Sequence, residues 1–306
     1  MTMWIIACPG QGSQTAGFLD PWLSEVTGFR TEMEKLSLAS DLDLVSLGTK
    51  ADDAEIKDTA IAQPLIVASS IAAYRALFRD SPVAGVLGHS VGEFAAAAIA
   101  GVISDELAIR LVAIRARAMA MSAAEHPTSM AAILGGDPTE VILVVGELGL
   151  EIANHNGAGQ LVAAGDKSKI ATLVASPPAK TRVIELKVAG AFHTNYMDAA
   201  RLELKEAVAQ VAVTDPIMKL WSNVDGQLCG SGQSFIDSLV SQVTAPVRWD
   251  LCMANLPEDN FDFVELPPAG ALTGLVKRAV PNANPIALKM PTDFAWVNAG
   301  FSYSFF

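Results

Sequence analysis

Ser90 stands between two glycines, in the run Val86-Leu87-Gly88-His89-Ser90-Val91-Gly92-Glu93. An apolar segment, 83–87, leads into it. An alanine-rich segment, 94–100, leads out, with Gly101 where a helix C-cap would fall. Strand, sharp turn and helix around Gly-x-Ser-x-Gly is the setting of a nucleophile elbow. The glycines let the backbone turn tightly and pack close to its neighbours. The turn puts the Ser90 hydroxyl in the open at a helix N-terminus, whose dipole favours developing negative charge. The chemistry this pattern offers is covalent catalysis by a serine hydroxyl.

A serine hydroxyl needs a base to become a nucleophile. The chain has 4 histidines. His89 adjoins Ser90, but neighbouring side chains at a strand end point apart, so it is expected to pack the elbow. His126 precedes Pro127 at a junction and is expected at the surface. His155 is expected in a hairpin turn with a structural role, beside asparagines able to orient a ligand. His193 remains, in a loop about a hundred residues after the serine, and elimination makes it the general base. No acid between Ser90 and His193 is a persuasive third member, so the imidazole is expected to be oriented by a backbone carbonyl or an amide instead. Arg115 and Arg117 interrupt an otherwise apolar helix. A guanidinium is rarely buried without a partner. The two face different ways, so one is expected to reach solvent. The other meets either an internal acid or an anion held bidentately.

These groups need a scaffold. The 306 residues are 51% hydrophobic, enough for one large domain carrying an insert. A net charge of −12 without basic runs argues against nucleic acid. No signal peptide is recognised at the N-terminus, and the longest apolar run, 94–103, is too short to span a bilayer. The 3 cysteines, Cys8, Cys229 and Cys252, are odd in number and far apart, which fits a reduced, cytoplasmic protein with cysteines as small core residues.

Segment 4–8 reads as a buried strand, followed by the glycine-rich loop 9–14. That loop lacks the ending of a phosphate-binding loop. Residues 20–60 read as polar helices and 62–77 as a long apolar helix beside the elbow helix. Ser104 caps a helix over 107–121. From 130 the pattern becomes strand, helix, strand, strand, helix, strand, at 130–134, 137–146, 150–153, 160–164, 166–174 and 182–188. That is the ferredoxin-like βαββαβ unit. The remainder reads as helix (201–212), strand end (219–223), helix (234–243), a break (245–249), strand (261–266), turn (267–270) and helix (272–279). The fold class is therefore α/β: a mostly parallel sheet with a serine elbow in a large hydrolase-like domain, 1–124 and 190–306, and an inserted ferredoxin-like subdomain, 125–189.

Five motifs in order, Pro9-Gly10-Gln11-Gly12-Ser13-Gln14, Gly88-His89-Ser90-Val91-Gly92-Glu93, Val112-x-x-Arg115, Ala191-Phe192-His193 and Gln242-x-x-x-Pro246-Val247-Arg248-Trp249, resemble the malonyl-CoA:acyl carrier protein transacylases, especially the actinobacterial ones. The resemblance extends to about residue 280. It implies ping-pong transfer of malonyl from malonyl-CoA, through a malonyl-Ser90 intermediate, to the phosphopantetheine thiol of acyl carrier protein, for fatty acid synthesis. It implies His193 as base, the N–H groups of Gln11 and Val91 as oxyanion hole, Arg115 on the malonyl carboxylate and the Gln242 carbonyl orienting His193. It implies no cofactor and no metal. Phe192 resembles the residue of malonyl-selective relatives, so malonyl is expected over methylmalonyl.

The turn 267–269 departs from the family's Gly-Pro-Gly, and Pro267-Pro268-Ala269 is expected to reshape the pocket wall. The tail, with Phe294, Trp296, Phe301, Tyr303, Phe305 and Phe306, is expected either to fold back or to self-associate. An acidic carrier protein meeting an acidic chain needs a local basic patch. Lys187, Lys277 and Arg278 are its candidates. The chain is expected to be a monomer that binds no nucleic acid and no membrane. Rival readings are a transacylase serving a polyketide or malonate-decarboxylase carrier, a serine thioesterase or esterase, and a scaffold with an inactive elbow.

Overall fold

The computed structural model describes residues 3–79 and 81–295. Met3–Cys8 (β1) lies mid-sheet and is almost wholly buried. An unbroken apolar run is what a parallel strand covered on both faces requires. The acid-rich stretch after it forms Asp20–Glu25 (α1), Phe29–Ser40 (α2) and Leu44–Lys50 (α3). Thr59–Leu77 (α4) starts before 62 because Asp58 caps it, accepting from the Ala60 N–H at 2.8 Å. This helix corrects the reading of apolar run lengths. By length and composition it could cross a membrane, but 72% of its apolar window is buried in this fold. It packs as a core helix against α2 and its later neighbours.

Val83–Gly88 (β2) runs into the elbow and Gly92–Ile99 (α5) runs out. Gly101, with φ of 77°, ends that helix. The alanines keep α5 slim enough to be buried on every side. Asp105–Glu125 (α6) follows, with the Ser104 hydroxyl accepting from the Leu107 N–H at 3.2 Å.

Thr128–Gly135 (β3), Pro138–Glu147 (α7), Glu151–Gly157 (β4), Gln160–Asp166 (β5), Lys167–Ala175 (α8) and Thr181–Glu185 (β6) repeat the βαββαβ order. They form an antiparallel sheet ordered β4-β5-β3-β6, the ferredoxin-like arrangement. Two details differ from the sequence reading. β4 continues through 154–157, so His155 lies in a strand, donating its N–H to the Val247 carbonyl, and the hairpin turn is only Ala158 and Gly159. β6 ends at Glu185; one further bond, from the Leu186 N–H to the Met130 carbonyl at 2.8 Å, ties the chain to β3 as it leaves. Alternation divides β3: Ala131 and Ile133 join a core with α7 and α8, while Met130 faces the main core.

The chain returns through Asp198–Val208 (α9), Lys219–Leu220 (β7), Gly232–Gln242 (α10), Trp249–Ala254 (α11), Phe261–Glu265 (β8), Leu272–Ala279 (α12) and Ala283–Ala287 (β9). The last strand was not legible in the sequence, since Asn284 and Pro285 suit only an edge. The large sheet is parallel throughout, ordered β7-β2-β1-β8-β9. In register, Cys8 pairs with Gly88 and Ala7 with Glu265. The loops after β1, β2 and β8 therefore leave at one edge, outside the carboxyl ends of the strands, where open α/β sheets bind ligands. Phe294 packs edge-on against Phe78, centroids 5.1 Å apart. The rest of the aromatic tail, from Trp296, lies outside the described residues.

Candidate active site

The elbow is built by close approach. A Cβ on Gly88 would come 2.2 Å from the Gly92 carbonyl carbon, and one on Gly92 2.2 Å from the Cys8 carbonyl oxygen. Only hydrogen fits at either place. Ser90 takes a φ of 52° and His193 one of 61°. Backbone in this region is strained for non-glycine residues, by about 1–3 kcal/mol each, and persists only where its surroundings hold it. At Ser90 the holder is Asn223, fully buried. Its Oδ1 accepts the Ser90 N–H at 2.8 Å and its Nδ2 donates to the Gly88 carbonyl at 2.8 Å. At His193 the Thr128 hydroxyl accepts the Ala191 N–H at 3.0 Å, and the Thr194 hydroxyl donates to the Ala191 carbonyl at 2.7 Å.

The Ser90 Oγ lies 2.7 Å from His193 Nε2. His193 Nδ1 lies 2.8 Å from the Gln242 main-chain oxygen. A carbonyl only accepts, so Nδ1 carries the proton and Nε2 is left as the acceptor for the serine hydroxyl. Burial and the nearby Arg115 cation depress the His193 pKa to about 3. The ring is thus a neutral base at every ordinary pH.

Arg115, on α6, is 1% exposed. It donates to the Gln63 side chain, to Gln242 Oε1 at 3.2 Å and to Ser90 Oγ at 3.4 Å. Its Nε is buried without a hydrogen-bond partner, and its guanidinium lies 5.8 Å from the Phe94 ring centroid. Burial lowers its pKa to about 10, with Glu93 pulling the other way; it stays cationic. Arg117, two residues on, is exposed, which resolves the choice between the two arginines.

A cleft of about 450 Å³ opens over these groups. Gln11, His89, Ser90, Val91, Arg115, Phe192 and His193 line it from the large sheet's side. Asn154, Asn156, Gln160 and Val162 line it from the small sheet. His89 is tied across by Nε2 to Asn156 Oδ1 at 3.0 Å and packs edge-on to Trp249. Of the docking candidates, Arg278 lines the cleft and donates to Gln160 at 3.4 Å. Lys187 and Lys277 are exposed; Lys187 sits between the cleft residues Leu186 and Val188. Gly270 to Leu272, directly after the Pro267-Pro268-Ala269 turn, line the cleft. The Pro267 carbonyl accepts from the Ser69 and Ser70 hydroxyls of α4.

The model of a family described as an acyl transferase domain matches residues 4–290. The chain belongs to the acyl transferase domain family. A relative from Mycobacterium tuberculosis, the malonyl CoA-acyl carrier protein transacylase, is 49% identical over 293 residues, 94% of this chain and 97% of the relative. The crystal structure of MCAT from Mycobacterium tuberculosis superposes with a TM-score of 0.91 at 48% identity, covering 95% of this chain and 98% of that one. A malonyl-transacylase in complex with the holo acyl-carrier protein of a type II PKS matches with a TM-score of 0.90 at 27% identity, over 96% and 98% of the two chains. This acyltransferase therefore has its serine, imidazole and buried arginine in one cleft of an established transferase fold.

Sequence reasoning missed three parts of this acyltransferase's site: Gln63, Asn223 and the role of Glu93. Gln63 and Glu93 sit on apolar helices, where a single uncharged or acidic residue gives no spacing signal. Asn223 ends a strand run and looks like any turn asparagine.

Proposed function

We propose that this acyltransferase moves malonyl from malonyl-CoA to the phosphopantetheine thiol of an acyl carrier protein, supplying fatty acid elongation. The observation that carries this is the buried Arg115 guanidinium beside Ser90 Oγ. A buried cation with an unpartnered Nε favours an acyl group ending in a carboxylate. The relatives' names point to the same substrates.

In the first half-reaction His193 Nε2 takes the Ser90 proton as Oγ adds to the thioester carbonyl. The negative oxygen that forms sits against the N–H groups of Gln11 and Val91, in the role of an oxyanion hole. The C–S bond breaks, and coenzyme A leaves as thiol with the proton from Nε2. In the second half the carrier's thiol gives its proton to Nε2 and attacks the malonyl-serine ester. Ser90 leaves and recovers the proton. The Gln242 carbonyl holds the imidazole in one tautomer through both halves, doing by hydrogen bonding what a carboxylate does in a triad.

Acetyl would leave Arg115 with neutral acceptors only and no charged partner in the cleft, which disfavours it. Phe192 lines the cleft, and we take its bulk to favour malonyl over methylmalonyl. Lys187, Lys277 and Arg278 are the docking candidates for the acidic carrier. Neither half-reaction changes oxidation state, so no cofactor is assigned. We take 125–189 as the insert in a large domain of 1–124 and 190–306, and the protein as a cytoplasmic monomer. The carrier complex with a type II PKS protein keeps a polyketide carrier as the second reading. Incubation with malonyl-CoA alone tests the transfer: a stable malonyl adduct on Ser90 supports it, and rapid hydrolysis without an acceptor favours a thioesterase.

A further inference from the structure

Glu93 takes no part in these steps, yet it is 0% exposed directly beneath the elbow. Its Oε1 accepts the Asn223 N–H at 2.7 Å, and its Oε2 accepts from Gln242 Nε2. The same Gln242 Nε2 donates to the Ser90 carbonyl at 3.2 Å, while Gln242 Oε1 accepts from Arg115 at 3.2 Å. One amide thus separates a buried carboxyl group, its pKa pushed up by burial to about 8 against the pull of these hydrogen bonds and of Arg115, from a buried cation.

An amide can be turned over without changing its shape, so something must select its orientation. Turned over here, its NH2 would face the Arg115 guanidinium, donor against donor. Its oxygen would face the Glu93 carboxylate and the Ser90 carbonyl. We propose that Glu93 is a positioning residue for the acyl-carboxylate site: accepting on both oxygens, it fixes the Gln242 amide so that Oε1 faces Arg115 and holds the guanidinium ready for the substrate. The inference rests on Arg115 as the carboxylate partner.

Glu93→Gln keeps the shape and reverses this constraint. With its oxygen kept for the Asn223 N–H, the new side chain presents NH2 to Gln242. Gln242 must then offer its oxygen to residue 93 and its NH2 to Arg115, or leave two donors facing. In the first case Arg115 loses an acceptor; in the second the facing donors push the Gln242 amide away from its place against Arg115. The link from His193 Nδ1 to the Gln242 main-chain carbonyl does not depend on that amide.

The test compares two reactions at the same serine. Malonylation by malonyl-CoA needs Arg115; sulfonylation by phenylmethylsulfonyl fluoride needs only Ser90 and His193. In Glu93→Gln, single-turnover malonylation is expected to slow by about 10- to 100-fold, the range for losing one hydrogen bond to a charged group, while sulfonylation stays within about twofold of wild type. Because Glu93 acts through the amide, Glu93→Gln in a Gln242→Ala background is expected to add less than about twofold. Equal slowing of both reactions, unchanged malonylation, or multiplying effects in the double variant would overturn the proposal. If Glu93→Gln does not yield folded protein, Glu93→Asp is read by the same split, and equal slowing again overturns it. Failure of the underlying reading looks different: malonylation would then survive Arg115→Ala, whatever Glu93 does.

Discussion

Arg115→Ala separates a serine site built for a charged acyl group from a generic one. The guanidinium is 1% exposed, and its Nη1 and Nη2 donate to Gln63, Gln242 and Ser90. A malonyl carboxylate seated there replaces neutral acceptors with a charged one. Hydrogen bonds to charged groups contribute about 1.5–3 kcal/mol each, and removing one partner of a buried pair costs about 3–5 kcal/mol. Malonyl-CoA acylation should therefore lose about 3–4 kcal/mol in kcat/KM, or ~10²–10³-fold at 1.4 kcal/mol per decade. Acetyl-CoA has no carboxylate, so its rate should hold or rise, and the malonyl-to-acetyl ratio should fall by about two orders of magnitude or more. Rapid quench followed by intact-mass measurement of acyl-Ser90 reads both rates, with circular dichroism confirming the fold. Arg115→Lys keeps the charge but loses the planar fork, and should fall between the two. A folded alanine variant with the wild-type ratio would refute the carboxylate clamp.

Further consequences can be checked independently. Gly92→Ala puts a Cβ 2.2 Å from the Cys8 carbonyl oxygen, so the elbow cannot close, and loss of Ser90 sulfonylation should accompany a lower Tm. Asn223→Ala releases the Ser90 N–H and the Gly88 carbonyl; a drop of about 1–3 kcal/mol in denaturant stability is expected, with sulfonylation slowed as well, unlike Glu93→Gln. The folded-state pKa of His193 lies below its unfolded value, about 3 against about 6.5, so the unfolded chain binds the proton first and this contribution to stability is full above pH 6.5 and lost as pH falls toward 3. The fall in Tm with acid should be shallower in His193→Gln, although His89, also depressed by burial, keeps part of it; an unchanged slope would contradict the burial of a neutral ring.

Much of the scaffold was legible because it rests on local rules. Ser104, Asp137 and Asp166 announce helix starts by side chain, and each is found accepting a first-turn N–H. The run Leu272–Ala279 coincides with a helix end to end. What failed were features set by distant partners. The run 154–157 is polar and glycine-bearing, yet it is held as strand by the Val247 bridge and the β5 ladder. Ala283–Ala287 is a strand because β8 offers it an edge, not because of its composition. In the site, Ser90 was written in its own neighbours, and His193 was reached by elimination. The Asn223 clamp and the Gln63 and Glu93 contacts were not, since buried amides and a carboxylate acquire meaning only from what faces them.

In the proposed mechanism Ser90 relays malonyl between two thiols with little loss to water. Malonyl-CoA added to the protein alone, followed by intact mass, should show one malonyl group on Ser90 that persists, and that moves to holo acyl carrier protein on its addition. No adduct should form with Ser90→Ala. An adduct that hydrolyses as fast without the carrier as with it, or one that forms equally in Ser90→Ala, would contradict the account.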